Sequence, residues 1–256
     1  MNTLALPARP SPSPMRAYLL EIRNEFMRLL RSPSFAVPTL VFPPMFYLLF
    51  AIVLNHKGGP QVATHLLATY GVFGVMAPGL FGFGVAIAMD RERGFLALKR
   101  AQPVPAGAVL LSRMAMAMVF AVGISLLLLA IGTALGGVRL SAMQAVTLVL
   151  VDMIGVLPFC AIGLFVGSLA SGQGAPAVIN MIYLPMAFLA GLWMPLSMLP
   201  SIVAKLAPLW PAHHLAQIAL QVVGGANDGR TGQHVLALAI YGVVFFVAAR
   251  RRLARG

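Results

Sequence analysis

Long apolar runs separated by short polar segments dominate the pattern of residues along this chain. Six of these runs reach, or nearly reach, the roughly 20 residues that a helix needs to cross a bilayer. The pattern therefore predicts an all-α membrane protein with six transmembrane helices. The predicted spans are Phe35–Leu54, Leu66–Met89, Met114–Leu135, a stretch within Ala142–Leu169, Ala175–Pro195 and Gln233–Ala249.

The segment before the first span has a different periodicity. Apolar side chains from Met15 to Leu30 recur every three or four residues, and Arg and Glu side chains occupy the opposite face. This pattern predicts an amphipathic helix over 15–31 that lies at the headgroup boundary; the alternative is a surface helix of a soluble domain. Residues 1–14 contain four prolines and no apolar core of a signal peptide, which predicts a disordered tail before a single transmembrane domain, 15–256.

The segment 196–232, before the last span, is apolar but interrupted by Pro200, Pro208 and Pro211. Neither Leu196–Leu209 nor Pro211–Val223 is long enough to cross a bilayer, so we expect two short re-entrant or interfacial helices in the outer leaflet. The alternative is a seventh span, which would put the two termini on opposite sides of the membrane.

Glycines are frequent in the second span, at positions 71, 74, 79, 82 and 84. Small residues let a neighbouring helix approach closely, so this span is predicted to make tight helix contacts. The first span contains Pro38, Pro43 and Pro44, which predict a kink.

Composition supports lipid as the main solvent of this chain. Hydrophobic residues make up 60% of the 256 residues and charged residues only 9%, whereas soluble domains carry roughly 25% charged residues. The mean hydropathy is +0.91. A soluble fold of this length could not hide so much apolar surface.

The charge distribution predicts an orientation and argues against nucleic-acid binding. The net charge is +12, but the 18 Lys and Arg residues lie in short segments between the apolar runs instead of forming a basic patch. With six spans, 14 of them fall on one side, which is therefore predicted to be cytoplasmic and to hold both termini at the cell membrane. The other side holds Lys57, Arg139, Lys205 and Arg230.

Residues that could carry chemistry are few, and the sequence predicts no catalytic or metal site. Asp152 is the only carboxylate inside a predicted span, so an intramembrane hydrolase with paired carboxylates is not supported. A carboxylate at this depth either packs in the bundle interior or contacts a substrate path. The adjacent His213 and His214 raise the alternative of a metal site, but neighbouring residues on a helix point apart. The sole cysteine, Cys160, lies in an apolar run and allows no disulfide within the chain.

The stretch Asp90–Gln102 carries the most information about function. It joins the second and third predicted spans on the predicted cytoplasmic side. A cluster of both charge signs is followed by Gly94, by a short amphipathic piece and by Pro103 and Pro105. Such a loop suits the docking of another protein; the alternative is a solvated connector.

The chain resembles the permease subunit of type-2 ABC exporters over residues 15–252. The resemblance rests on the amphipathic helix before the first span, the broken outer segment before the last span and the motif Asp90-Arg91-Glu92-Arg93-Gly94 with Pro103-Val104 downstream. The segment from Gly191 to Pro195 is also similar to the family. Asp90 and Ala97 depart from the family pattern, which often has Glu there, and Phe95 stands where Thr is common.

The resemblance implies that the first loop is a coupling helix for a separate ABC ATPase subunit. It also implies two permease copies, homodimeric or related, with the substrate route between them. No cofactor is then expected in this chain, and ATP and Mg²⁺ belong to the partner; no Gly-x-x-x-x-Gly-Lys-Ser/Thr occurs here. The implied coupling residues are Asp90, Arg91, Glu92, Arg93, Gly94, Phe95, Leu98 and Lys99.

The expected function is a transport subunit, not an enzyme, that moves a substrate outward. Because the spans contain few polar residues, an amphipathic or lipid-like substrate is favoured, with Asp152 as a residue of its path. Two other classes remain open. An ATP-independent channel or secondary transporter would show several polar residues along its spans, and a membrane enzyme would show paired catalytic groups at one depth.

Overall fold

The computed structural model describes residues 19–20, 22–25, 27, 33–55, 58–95, 108–225 and 229–253. Within these ranges the chain folds into helices joined by turns, as the apolar runs predict. The helices from residue 33 onward are α1 (Pro33–Tyr47), α2 (Gly59–Ala77), α3 (Phe83–Glu92), α4 (Ala108–Leu135), α5 (Ala142–Leu169), α6 (Ala175–Leu189), α7 (Ser201–Leu206), α8 (Pro211–Val222) and α9 (Thr231–Leu253).

Two of the predicted spans contain π-helical turns. A turn at Leu48–Val53 continues α1 beyond its three prolines, and a turn at Pro78–Gly82 joins α2 to α3 in one long helical stretch. A π-helical turn is a common way for a helix to absorb a locally irregular hydrogen-bond pattern. The prolines therefore do not end these helices.

Five helical stretches are long and apolar enough to cross a membrane, which makes the chain an all-α, multi-pass membrane protein. They are Phe35–Val53, Gly59–Glu92, Val109–Leu135, Ala142–Leu169 and Thr231–Leu253. The predicted fifth span corresponds to α6, which has only 15 residues. At 1.5 Å per residue α6 is roughly 22 Å long, against a hydrocarbon core of roughly 30 Å. It is short because the chain turns at Gly191, whose φ is +77°.

Several span boundaries differ from the predicted ones. The third span begins at Val109 instead of Met114, so that it contains Arg113. The second span begins at Gly59 instead of Leu66, because Pro60 starts the helix and polar residues such as Gln61 are accommodated in its first turns. The last span extends to Leu253, and its basic last turn, Arg250 to Arg252, is exposed as expected for side chains that reach the headgroups.

The core forms where the second span crosses α5 with almost no side chain between the two backbones. A Cβ atom on Gly163 would lie 2.6 Å from the Gly79 carbonyl oxygen, and one on Gly84 would lie 2.8 Å from the Gly163 carbonyl oxygen. On another face, a Cβ on Gly74 would lie 2.5 Å from Ile124 of α4. These distances confirm the tight helix contacts predicted for the second span.

The outer segment forms the two short helices that its prolines predict, α7 and α8, each next to a 3₁₀ turn. The buried face of α8 packs on α2, α5 and α9. Gly155 on α5 makes room for it, since a Cβ there would lie 2.6 Å from Leu215 Cδ2. Within the part of the chain that the structure describes, this region holds no seventh span.

The bundle has two ends, and we call the end that contains residues 90–95, 170–174 and 250–253 the loop face. Arg91 bonds to the carbonyl group of Ala170, and the Phe165 and Phe245 rings lie 5.5 Å apart, which brings the ends of α3, α5 and α9 together. Glu25 also lies at this face, against Arg113. Because α6 starts at the loop face and α9 starts at the opposite face, α6 and the turns that follow it make the remaining passage across the bundle.

Candidate functional site: the charged loop after the second span

The second span ends in a tight turn that starts the charged loop. The backbone N–H of Arg93 donates to the Met89 carbonyl group at 3.0 Å, and the N–H of Gly94 donates to the Arg91 carbonyl group at 3.2 Å. Gly94 has a φ of +69°, and a Cβ atom there would have no neighbour within 4 Å. The backbone conformation, and not a lack of space, therefore favours glycine at this position, as the sequence predicts.

Arg113, near the start of α4, is surrounded by two carboxylates. Its Nε lies 3.0 Å from Glu25 Oε1, and its Nη2 donates to Asp90 Oδ2. All three side chains are buried, and only 1% of Arg113 is exposed. Arginine is almost never buried to this extent unless it is paired, so the three residues form one ionic unit. We call Glu25, Asp90 and Arg113 the ion triad.

The ion triad connects three separate parts of the chain at the loop face. Glu25 comes from the helical residues before the first span, Asp90 from the last turn of α3, and Arg113 from α4. The ion triad therefore links the end of α3 to α4 and to the N-terminal helical residues. Removing Arg113 would take away the buried cation that both carboxylates contact, at a cost of roughly 3–5 kcal/mol.

Arg91, the next residue, ties the loop to the end of α5. Its guanidinium donates to the carbonyl oxygens of Ser168 and Ala170, the latter at 2.7 Å. These carbonyl groups belong to the last turn and the C-cap of α5, where helices leave acceptors unpaired. A cation at a helix C-terminus also interacts favourably with the helix dipole. Asp90 and Arg91 thus bind the loop to α4 and α5 by neighbouring side chains.

The remaining residues of the charged motif are exposed. Glu92 lies over the turn after α5, because a Cβ on Gly172 would be 2.6 Å from Glu92 Oε2. The sequence favours a charge-assisted contact of Glu92 with the surroundings of Arg93 or Arg113, or with the partner ATPase. Among the described residues Asp90 and Glu25 contact Arg113, and a contact of Glu92 with the ATPase stays a prediction. Arg93 and Phe95 face outward. Leu98 and Lys99 lie outside the described residues, so their expected contacts stay predictions.

Asp152 lies in the interior of the bundle at the middle of α5. Its Oδ2 accepts a hydrogen bond of 2.8 Å from the Ser125 hydroxyl group, and it packs against Gly71 of α2. Asp152 is fully buried, and it does not line the large apolar groove between α4 and α9. This environment suits a packing role, and a role in the substrate path stays a prediction.

Three histidines meet at the end of the bundle opposite the loop face. His214 Nδ1 lies 2.9 Å from His234 Nδ1, and His214 Nε2 donates to the Pro208 carbonyl group at 2.9 Å. The His213 ring packs edge-on against both of these imidazoles. Burial lowers the pKa of His214, the charge of His234 lowers it further, and the Pro208 carbonyl group acts in the opposite direction. Among the described residues, no group of three or more His, Cys, Asp or Glu side chains could hold a metal ion.

The sequence pattern identifies the loop but not its buried partners. Glu25 falls on the predicted polar face of the N-terminal helix, where exposure is the ordinary expectation, and Arg113 is counted among the basic residues of the cytoplasmic side. One feature of the sequence does point to a partner for Arg113. Apolar residues lie on both sides of it, Val109 to Leu111 before it and Met114 after it. A span that begins before Arg113 would bring its charge into the membrane, where it needs a partner.

Two comparisons with known proteins add to this geometry. The family model described as "ABC-2 type transporter" matches residues 16–223. The chain is also 27% identical over 229 residues to the "Putative transport permease YvfS" of Bacillus subtilis (strain 168), which covers 88% of this chain and 92% of that protein. The range that the family model matches includes the charged loop and the outer segment as far as residue 223.

Proposed function

Because this chain belongs to the ABC-2 type transporter family, as a membrane-spanning transport subunit, we propose that it is the permease of an ATP-driven exporter. A separate ABC ATPase subunit binds and hydrolyses ATP with Mg²⁺, and this chain forms the passage. The absence of a Gly-x-x-x-x-Gly-Lys-Ser/Thr sequence from these residues supports the assignment of ATP hydrolysis to a separate subunit.

The observation that carries the proposal is the attachment of the charged loop to several helices at once. A loop that only connects two spans has no need of a buried ionic unit. Here Asp90 binds Arg113 of α4 in the ion triad, and Arg91 binds the C-terminal carbonyl groups of α5. When a partner at the loop face moves residues 90–95, these contacts transmit the movement to α4, α5 and the N-terminal helical residues. That is the mechanical requirement for alternating access driven from outside the membrane.

The orientation of the chain follows from charge. The loop face is the cytoplasmic side, since 14 of the 18 basic residues of the sequence belong to it in the six-span arrangement. Glu25 and the Arg250–Arg252 cluster, which lie near the two ends of the chain, are both at the loop face. Both termini are then cytoplasmic, and an ATPase in the cytoplasm of the cell reaches residues 90–95.

Two further features complete the proposal. Two permease copies, identical or related, pair with two ATPase subunits, and the substrate passes between the permeases. The substrate is amphipathic or lipid-like, because the interior of the described bundle is formed by apolar side chains and offers few charged groups such as Asp152. Large apolar side chains also remain exposed along the spans, which suits contact with lipid or with a second copy.

Reconstitution of the chain with an ABC ATPase from the same cell tests the proposal. In inside-out vesicles, a fluorescent amphipathic dye should accumulate only when both proteins, ATP and Mg²⁺ are present. Dye movement that needs neither the ATPase nor ATP would contradict the proposal and favour an ATP-independent channel or secondary transporter. Failure of the chain to retain any ABC ATPase during purification would contradict the proposal that a separate subunit hydrolyses the ATP.

A further inference from the structure

A large apolar groove runs along the side of the bundle, and the residues of the charged loop do not line it. It has a volume of about 960 Å³, with α5 as its floor and α4 and α9 as its walls. Both walls pack on α5 and leave a gap between them. Small-molecule sites in proteins commonly measure roughly 300–1,000 Å³, so this groove is at the large end of the range.

The lining of the groove is suited to hydrocarbon. Among the described residues that line it, Thr147 alone has a hydroxyl group, and the others are aliphatic, aromatic or small, apart from the thiol of Cys160. Ile154 on the floor is 55% exposed and Val243 on a wall is 62% exposed, so the groove opens sideways. It extends on α5 from Thr147 to Leu164, which is roughly 25 Å of helix. An extended acyl chain has the shape and the chemistry to fill it.

A glycine shapes the deep part of the groove. Gly242 of α9 faces Pro158 of α5, and a Cβ atom on Gly242 would have only the Pro158 Cα within 4 Å, at 3.9 Å. This differs from the glycines of the α5 crossing, where a side chain would strike backbone atoms. The gap at Gly242 is therefore open space, and a large side chain placed there would project into the groove.

Basic side chains stand at the end of the groove that meets the loop face. Phe246 lines the groove, and Arg250 follows it by four residues, which places both on one side of α9. Arg250, Arg251 and Arg252 are exposed, and α9 contains no acidic residue. Clusters of basic side chains next to grooves between membrane helices recognise anionic headgroups.

We propose that this groove is a binding site for a phospholipid with an anionic headgroup, whose acyl chain lies between α4 and α9 and whose phosphate group contacts Arg250. The lipid comes from the leaflet at the loop face. The site goes beyond the transport function, and it does not depend on the direction of transport or on the ATPase.

Charge favours lipid over a second copy of the chain as the occupant. A two-fold axis along the membrane normal would put the loop faces of both copies at the same depth. If the groove were the dimer interface, the Arg250–Arg252 clusters of the two copies would face each other, with no acidic residue on either α9 helix. Lipid phosphate groups neutralise these arginines, whereas a second copy adds to their repulsion.

Photocrosslinking of lipids to the purified full-length chain tests the site. The probes are phosphatidylglycerol and phosphatidylcholine with the same diazirine-labelled acyl chain, and the labelled peptides are identified by mass spectrometry. Phosphatidylglycerol should label peptides of α5 and α9 that line the groove, and more strongly than phosphatidylcholine. Gly242→Trp should abolish this labelling by filling the groove. Val244→Trp, which adds the same side chain at an exposed position of α9 outside the groove, should leave it unchanged.

Further variants separate the parts of the proposal. Arg250→Gln should lower the labelling by phosphatidylglycerol about fivefold and leave the labelling by phosphatidylcholine unchanged. If Gly242→Trp does not fold, Ala239→Phe fills the same groove from the same wall. Three results would overturn the proposal: equal labelling by the two lipids in the unmodified chain, undiminished labelling in a folded groove-filling variant, or efficient disulfide dimers of Val243→Cys, which would make the groove a contact between copies.

Discussion

At the scale of single residues, Arg113 has the most demanding environment in the described chain. It brings a charge to a position that is 1% exposed, and it is held there by Glu25 and Asp90. Arg113 is thus the cation that two buried carboxylates share. Replacing a buried ionic unit of this kind by apolar residues is often harmless, but removing a single partner is not. The ion triad can therefore be tested by single and combined substitutions.

Arg113→Met should lower the free energy of unfolding by roughly 3–5 kcal/mol, because it removes the buried guanidinium that the carboxylates of Glu25 and Asp90 contact. Thermal unfolding of the purified chain in detergent measures the change. Arg93→Met, which removes an exposed guanidinium from the same loop, should shift the free energy of unfolding by no more than about 0.5 kcal/mol. Equal unfolding midpoints for the two variants would contradict the buried pairing of Arg113.

Gly94→Val should reduce transport while the protein still inserts into the membrane. The φ of +69° at Gly94 is unfavourable for a β-branched residue, and the strain is of the order of 1–3 kcal/mol, so the turn that presents the loop will be altered. Gly229 offers a matched control, because it has the same φ of +69° and lies at the opposite end of the bundle. Gly229→Val should cost similar stability but retain transport. A loss of transport in both variants would assign the effect of Gly94→Val to stability alone.

At the scale of helices, the crossing of the second span with α5 determines how the bundle is packed. Gly163→Ala should destabilise the protein by roughly 1–3 kcal/mol, since the added methyl group would meet the carbonyl oxygens of Gly79 and Leu80 at 2.6 and 2.8 Å. Gly242→Ala is the control, because its methyl group would touch only the Pro158 Cα at 3.9 Å. Unfolding in detergent compares the two variants, and an equal effect of both would contradict the close backbone contact at Gly163.

The histidines at the far end of the bundle predict a dependence of stability on pH. The pKa of His214 is lowered in the folded protein from an unfolded value near 6.5, so the unfolded state binds more protons in acid. The stability that the neutral form of His214 contributes is fully present above about pH 6.5, and it is lost as the pH falls below that value. The midpoint temperature of unfolding should therefore decrease as the pH is lowered from about 7.5 to about 5.5. His214→Gln should make this decrease smaller. A fall of the same size in His214→Gln would show that other groups are responsible.

At the scale of the whole molecule, the apolar pattern predicts the fold well, because lipid requires continuous apolar helices. It predicts the existence of the spans and of the two short outer helices. It misplaces the start of the second span, where Gln61 and other polar residues continue the helix beyond the apolar run, and it overestimates α6, which ends early at a turn. Helix ends depend on local turns more than on hydropathy.

The candidate site was predictable only in part. The charged loop stands out by composition, and the positive φ of Gly94 agrees with the turn expected there. The partners of the loop were not predictable, because Glu25, Ser168 and Ala170 are distant in sequence and come together only when the helices pack. Which side chains pair across a helix bundle depends on how each helix is rotated about its axis and how far it is shifted along the membrane normal. The apolar pattern of a single sequence does not determine either quantity.

The proposed function depends on the coupling of this chain to an ABC ATPase through residues 90–99 of the loop. Retention of the ATPase on the tagged chain, purified from its own membranes, tests it most directly. The unmodified chain should retain the ATPase, and Leu98→Asp should lose it, because an apolar contact with the partner is replaced by a charge. Met198→Asp, the same kind of change at an exposed methionine in the segment at the opposite face, should retain it. Full retention by Leu98→Asp, or no ABC ATPase with the unmodified chain, would contradict the claim.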